Sequence, residues 1–201
     1  MIMNKLIKLS FLAGFLFLST NILAKDKDKD FSVAIKEVTN KTVNFELSNA
    51  KNVSIYVYNG EKGEVFSEKI ISNDSVEKAY NMSDMSAGTY YLVAESESKI
   101  EKYKITVDEK NVIVDQAPVS AITKPEYTIN KNIVKLQMAN VIGDVRVSIY
   151  DTLNNTYYSK NNVSKDGILD LTFDLNPANA DTYIINVEKD GDSFSRMITL
   201  K

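Results

Sequence analysis

The chain repeats itself, and the length of the repeat limits what it can fold into. Val53, Ile55, Val57 and Tyr58 recur as Val145, Val147, Ile149 and Tyr150. Gly88-Thr89-Tyr90-Tyr91-Leu92 recurs as Asp181-Thr182-Tyr183-Ile184-Ile185, and Ile105-Thr106-Val107 as Ile198-Thr199-Leu200. The offset is 92 residues from Tyr58 to Tyr150 and 93 from Tyr90 to Tyr183, a drift that one loop insertion explains. Solenoid units run about 20–50 residues, so this repeat is too long for one. It has the length of a whole small β-sandwich of roughly 100 residues.

Local patterning agrees. Val43, Phe45 and Leu47 alternate with Asn44 and Glu46, as Val134, Leu136 and Met138 alternate with Lys135 and Gln137; this is the two-residue period of a half-buried strand. Val53, Ile55 and Val57 form the next inward face, and Asn59-Gly60 after them predicts a tight hairpin. The counterpart over residues 151–155 is a looser turn. Tyr80 and Met82 match Phe173 and Leu175, and Tyr90, Leu92 and Ala94 match Tyr183, Ile185 and Val187. Short strands separated by turn signals predict an all-β chain of two tandem Ig-like antiparallel β-sandwiches with Greek-key wiring.

The first 24 residues read as a secretory signal peptide. Lys5 and Lys8 precede an apolar run from Leu9 to Leu18, and Ala24 is a small residue at a cleavage position. The run is shorter than the roughly 20 residues of a spanning helix, so no membrane span is expected after cleavage. No Cys follows to carry a lipid. Residues 25–30, alternating Lys and Asp, form a charged linker. The expected organisation is then module one over 31–109, a connector over 110–118, and module two over 119–201. Val112-Ile113-Val114 in the connector either extends the last strand or packs between modules.

Composition excludes much chemistry. The chain has no Cys, no His and no Trp. Thiol nucleophiles, disulfides, zinc–thiolate sites and His-based triads are therefore absent, and no cofactor is expected. Losing Lys5 and Lys8 takes the net charge from −3 to about −5, with no basic stripe for nucleic acid. Asp190-Gly191-Asp192-Ser193 offers few oxygens for calcium and reads as a turn. Glu61 with Glu64, and Glu95 with Glu97, fall in turns or polar strand ends rather than in a glycosidase arrangement. A non-enzymatic protein is expected; a secreted glycan-active enzyme is the weakest alternative.

Tyr90 and Tyr183 each open the penultimate strand of a module, where an Ig-like corner tyrosine bonds its hydroxyl to the backbone. The segment from Met85 to Ala94, followed by Tyr103-Lys104-Ile105-Thr106-Val107, resembles the C-terminal sorting domains of the type IX secretion system and related Ig-like modules of exported Bacteroidota proteins. The end of module two, through Lys189-Asp190-Gly191 to Arg196-Met197-Ile198-Thr199-Leu200-Lys201, fits the same pattern, although Asp181 replaces the glycine before Thr-Tyr. The resemblance implies an exported β-sandwich in the periplasm, at the cell surface or outside the cell. Its partner would be a protein or glycan of the cell envelope, or secretion machinery gripping an exposed edge strand. Lys189, Arg196 and Lys201 are the residues it marks as partner contacts. It also marks Asp74-Ser75-Val76 and Asp151-Thr152-Leu153 as O-glycosylation acceptors, through Ser75 and Thr152.

Overall fold

The computed structural model describes residues 30–61 and 63–200; the expected signal peptide, most of the charged linker and Lys201 lie outside the described residues. Among the described residues, regular structure is entirely β, as the alternation predicted. In the first half, β1 (Ser32–Thr39), β2 (Thr42–Ser48) and β5 (Val76–Asn81) form one antiparallel sheet in the order β1-β2-β5. A second sheet has the order β4-β3-β6-β7-β8, from β3 (Val53–Asn59), β4 (Gly63–Ile70), β6 (Gly88–Glu95), β7 (Lys99–Val107) and β8 (Val112–Val114). A further strand, β9 (Ser120–Thr123), also pairs with β7.

The second half repeats this wiring. β10 (Glu126–Asn130), β11 (Ile133–Met138) and β14 (Leu169–Asp174) form a sheet in the order β10-β11-β14. β12 (Asp144–Asp151), β13 (Thr156–Val163), β15 (Thr182–Lys189) and β16 (Asp192–Thr199) form the order β13-β12-β15-β16. Each pair of sheets encloses its own core. Phe45, Leu47, Ile55 and Leu92 are among the residues of the first, and Leu136, Ile149, Tyr183 and Ile185 among those of the second. These are the inward sets of the alternating runs, buried because a sheet hides only one face in its sandwich.

The correspondence extends to irregularities. The β3–β4 ladder slips between Val57 and Tyr58, and the β12–β13 ladder slips between Ile149 and Tyr150, 92 residues on. Phe66 meets Tyr80 edge-on at 4.9 Å between β4 and β5; Tyr158 meets Phe173 edge-on at 5.1 Å in the second half, with the two ring types exchanged. Such pairs add to the burial of the rings themselves.

Two local expectations need correction. Asn59-Gly60 is not a two-residue hairpin: Asn59 pairs with Gly63, so three positions separate the paired residues in place of two. The Asn59 side chain is spent on capping, its Oδ1 accepting from the Glu61 N–H and its Nδ2 donating to the Thr89 carbonyl, both at 2.9 Å. Two-residue turns with left-handed central residues occur instead at Asn40-Lys41 (φ 47° and 61°) and Asp190-Gly191 (φ 51° and 86°). Val112-Ile113-Val114 neither prolongs the preceding strand nor sits between modules. It reverses and pairs antiparallel with Ile105, Thr106 and Val107, burying Val112 and Val114 in the first core.

Candidate functional site

The two corner tyrosines turn their rings into the cores and their hydroxyls to the backbone. The Tyr90 ring is buried in the first core and its hydroxyl donates to the Ser86 carbonyl at 2.9 Å. The Tyr183 ring is buried in the second and its hydroxyl donates to the Asn176 carbonyl at 2.7 Å. Burial pushes the Tyr183 phenol up. Each tyrosine thereby ties the loop before its strand to the core, the Asn176 carbonyl also accepting from the Asn179 N–H at 3.0 Å.

Ser75 is exposed immediately before β5, with its hydroxyl 3.0 Å from that of Ser48. Thr152 is exposed in the turn between β12 and β13. Its neighbour Asp151 is buried and holds that turn together: its Oδ1 accepts from the N–H groups of Leu153 and Asn155 at 2.9 Å, and its Oδ2 from Asn155 Nδ2 at 2.8 Å and the Tyr157 hydroxyl at 3.0 Å. The hydrogen bond from the Asn155 side chain is the main reason its carboxyl is held below the ordinary value, and the backbone and Tyr157 donors add to it. Asp151 stands 92 residues after Asn59 and, like it, accepts from the N–H two residues on, here with a charge.

Of the proposed carboxylate pairs, Glu61 and Glu64 lie on the exposed turn and start of strand, and Glu95 is engaged by the Lys124 ammonium. Asp192 of the Asp190-Gly191 turn is held by Lys102, through both oxygens at 2.8 Å. Among the described residues no cluster of three acidic groups is placed to hold a metal ion.

Two of the three contact residues marked by the sequence are described, on β15 and β16. Lys189, at the end of β15, pairs with Asp190 at 2.7 Å. Arg196 lies in β16 beside a cleft of about 900 Å³, lined by Ser98, Lys124, Pro125, Tyr127 and Phe194 among others. Lys201 is outside the described residues. Tyr127 went unread in the sequence. Its ring packs against the second core, while its hydroxyl is buried without a hydrogen-bond partner among the described residues. Burial pushes that phenol up to about 12, and the nearby Arg196 charge opposes the shift. The cleft thus carries a buried hydroxyl and an accessible guanidinium, which forms no ion pair among the described residues; together they suit an anionic oxygen.

The wall of this cleft from the first half is fixed by β9. Ser120, Ala121, Ile122 and Thr123 pair with Lys102, Glu101, Ile100 and Lys99, while the Ile122 side chain is buried in the second core. The Lys124 N–H donates to the Ser98 carbonyl at 2.7 Å, and its ammonium to the Ser96 carbonyl at 2.8 Å.

Residues 39–108 match the family model of the secretion system C-terminal sorting domain. The sorting-domain match therefore runs from the end of β1 to just past β7, within the first half. It includes Gly88-Thr89-Tyr90 and stops short of the second half. No curated protein matches the chain. Among solved structures, the BSP domain of a biofilm associated protein is similar at 15% identity and TM-score 0.29, covering 86% of this chain and 29% of that one. Native alpha-2-macroglobulin from Escherichia coli spanning domains NIE-MG1 is similar at 14% identity and TM-score 0.28, covering 87% and 99%. The human OSCAR ligand-binding domain is similar at 10% identity and TM-score 0.24, covering 85% and 97%. The chain spans less than a third of the length of the BSP structure.

Proposed function

We propose that this chain is cargo of the type IX secretion system that works, once exported, as a non-enzymatic binding or structural module of the cell envelope. The observation that carries the reading is the match of residues 39–108 to the secretion system C-terminal sorting domain. The repeat extends its reach: by the offset of 92–93, the matched residues correspond to residues 131–201, of which the described ones, 131–200, keep the same strand order around a second core. In this reading a sorting-type frame is present twice, and the second copy is the one the secretion apparatus handles. The leader pattern in residues 1–24 supplies the first step, passage across the inner membrane.

The test is location. The full chain is produced in cells with and without a working type IX apparatus, and the periplasm, surface and medium are assayed. Delivery to the surface or medium only with the apparatus supports the reading. Retention in the periplasm of both strains overturns sorting and leaves a periplasmic module.

A further inference from the structure

One sheet edge is treated differently in the two halves. Around β7, the outer edge is filled by the chain itself: β9 pairs with Lys99–Lys102 and β8 with Ile105–Val107. The Val119 N–H donates to the Lys102 carbonyl at 2.7 Å and the Asp115 N–H to the Lys104 carbonyl at 3.0 Å. The even-numbered residues of β7 therefore turn their backbone groups outward. β16 corresponds to β7 at an offset of 93 and pairs along its full length with β15. Among the described residues no strand covers its other edge. The outward groups there belong to Ser193, Ser195, Met197 and Thr199, since an antiparallel strand sends alternate residues to alternate neighbours. An open row of this kind is a template for another strand.

The cleft described above runs beside this edge. Its Arg196 takes the place of Tyr103, which is buried in the first core with its hydroxyl on Glu101 at 3.0 Å. In the second half the same inward position carries a cation that is exposed, next to the partnerless Tyr127 hydroxyl. The strands that fill the β7 edge also show what such an edge takes: Val112 and Val114 point into the core while Ile113 faces solvent.

From these observations we infer that β16 and its cleft form a peptide-binding site, which adds an extended partner segment antiparallel to β16 and receives one carboxylate of that segment between Arg196 and Tyr127. Main-chain bonds to the Ser195 and Met197 level supply strand pairing, the guanidinium and phenol donate to the carboxylate, and flanking aliphatic residues meet Phe194 and Ile198. The inference does not depend on the export route, because it is read with purified protein.

The probe is the fluorescent-labelled peptide acetyl-Thr-Val-Thr-Asp-Thr-Val-Thr-amide, titrated against the full chain without its leader. Saturable binding is expected, with amide shifts in the nuclear magnetic resonance spectrum confined to β16 and the start of β10. Arg196→Gln, Tyr127→Phe, and Asn in place of the peptide Asp should each weaken binding about tenfold, the loss of a charge-assisted or buried hydrogen bond. Arg196→Gln and the Asn peptide combined should lose little more than either alone. Ser195→Pro should abolish binding yet fold normally, because its N–H faces away from β15 and proline is tolerated at such an edge. The inference is overturned by no binding at about 1 mM peptide, or by binding insensitive to Arg196→Gln. It is equally overturned by a concentration-dependent dimer that Ser195→Pro dissolves, which assigns the edge to a second copy of the chain.

Discussion

Ile122 is hydrogen-bond paired with Ile100 in the sheet of the first half, and its side chain is buried in the core of the second. One short strand thus belongs to two structural units. Its backbone cannot leave without opening the β7 edge, and its side chain cannot leave without a cavity in the other core. Ile100 and Val93 are each 7% exposed on the outer face of the same sheet, a face that in an isolated sandwich meets water. The halves are therefore coupled through this strand. Ile122→Ala should cost about 2–5 kcal/mol, the usual range for an aliphatic core truncation. In urea unfolding, the loss should appear in probes of the second core and weaken cooperativity between the halves. Loss confined to the first half would contradict the placement.

Lys102 and Asp192 tie the same junction electrostatically, with both carboxylate oxygens at 2.8 Å and each side chain 21% exposed. Pairs this accessible are worth about 1 kcal/mol or less, and salt screens them. A double-mutant cycle of Lys102→Met and Asp192→Asn should return a coupling of that size, falling in 1 M salt as the ~3 Å Debye length implies. Small-angle scattering should show a looser arrangement of the halves in either variant, with both cores intact.

The elements legible in the sequence were those written in short-range pattern. Val53, Ile55 and Val57 with Val145, Val147 and Ile149 announce two inward faces, and all six are buried. The all-β class follows from such runs, and the repeat anticipates the shared strand order. What escaped was set by distant partners. Val112-Ile113-Val114 has a strand composition wherever it packs, and only the free edge of β7 decides that it turns back. Asn59-Gly60 carries a hairpin signal, but the Asn59 side chain has two backbone groups to satisfy, which lengthens the turn. Arg196 was marked through family resemblance, whereas Tyr127 looks in sequence like any half-buried tyrosine. Its meaning lies in a hydroxyl that meets no hydrogen-bond partner among the described residues.

The Tyr183 hydroxyl and the Asn176 carbonyl define a prediction about stability alone. Tyr183→Phe keeps the ring in the core and removes one part-buried hydrogen bond, at a net cost of about 1 kcal/mol. Tyr90→Phe should act alike through Ser86. For units of this size the loss lowers Tm by about 4–8 °C. Scanning calorimetry checks it. Peptide binding at β16 should be unchanged in Tyr90→Phe, since that corner lies in the other core.

Asp151 gives the fold an acid-sensitive turn. Its carboxyl is held below the ordinary value of 3.8, first by the Asn155 side chain and then by backbone N–H groups and the Tyr157 hydroxyl. A carboxyl depressed in the folded state contributes stability that is fully present above its unfolded value and is lost as pH falls through the folded one. The contribution should therefore be complete at neutral pH, begin to fall near pH 3.8 and be gone only below the depressed folded value. Asn59, at the equivalent position, caps its turn without a charge, so Asp151→Asn should keep the turn while surrendering the ionised acceptor for Tyr157 and Asn155. Urea unfolding of the two proteins should show the parent more stable at pH 7, with the gap closing as the solution is acidified. A gap that persists unchanged below the folded value would mean the carboxylate charge contributes nothing to this turn.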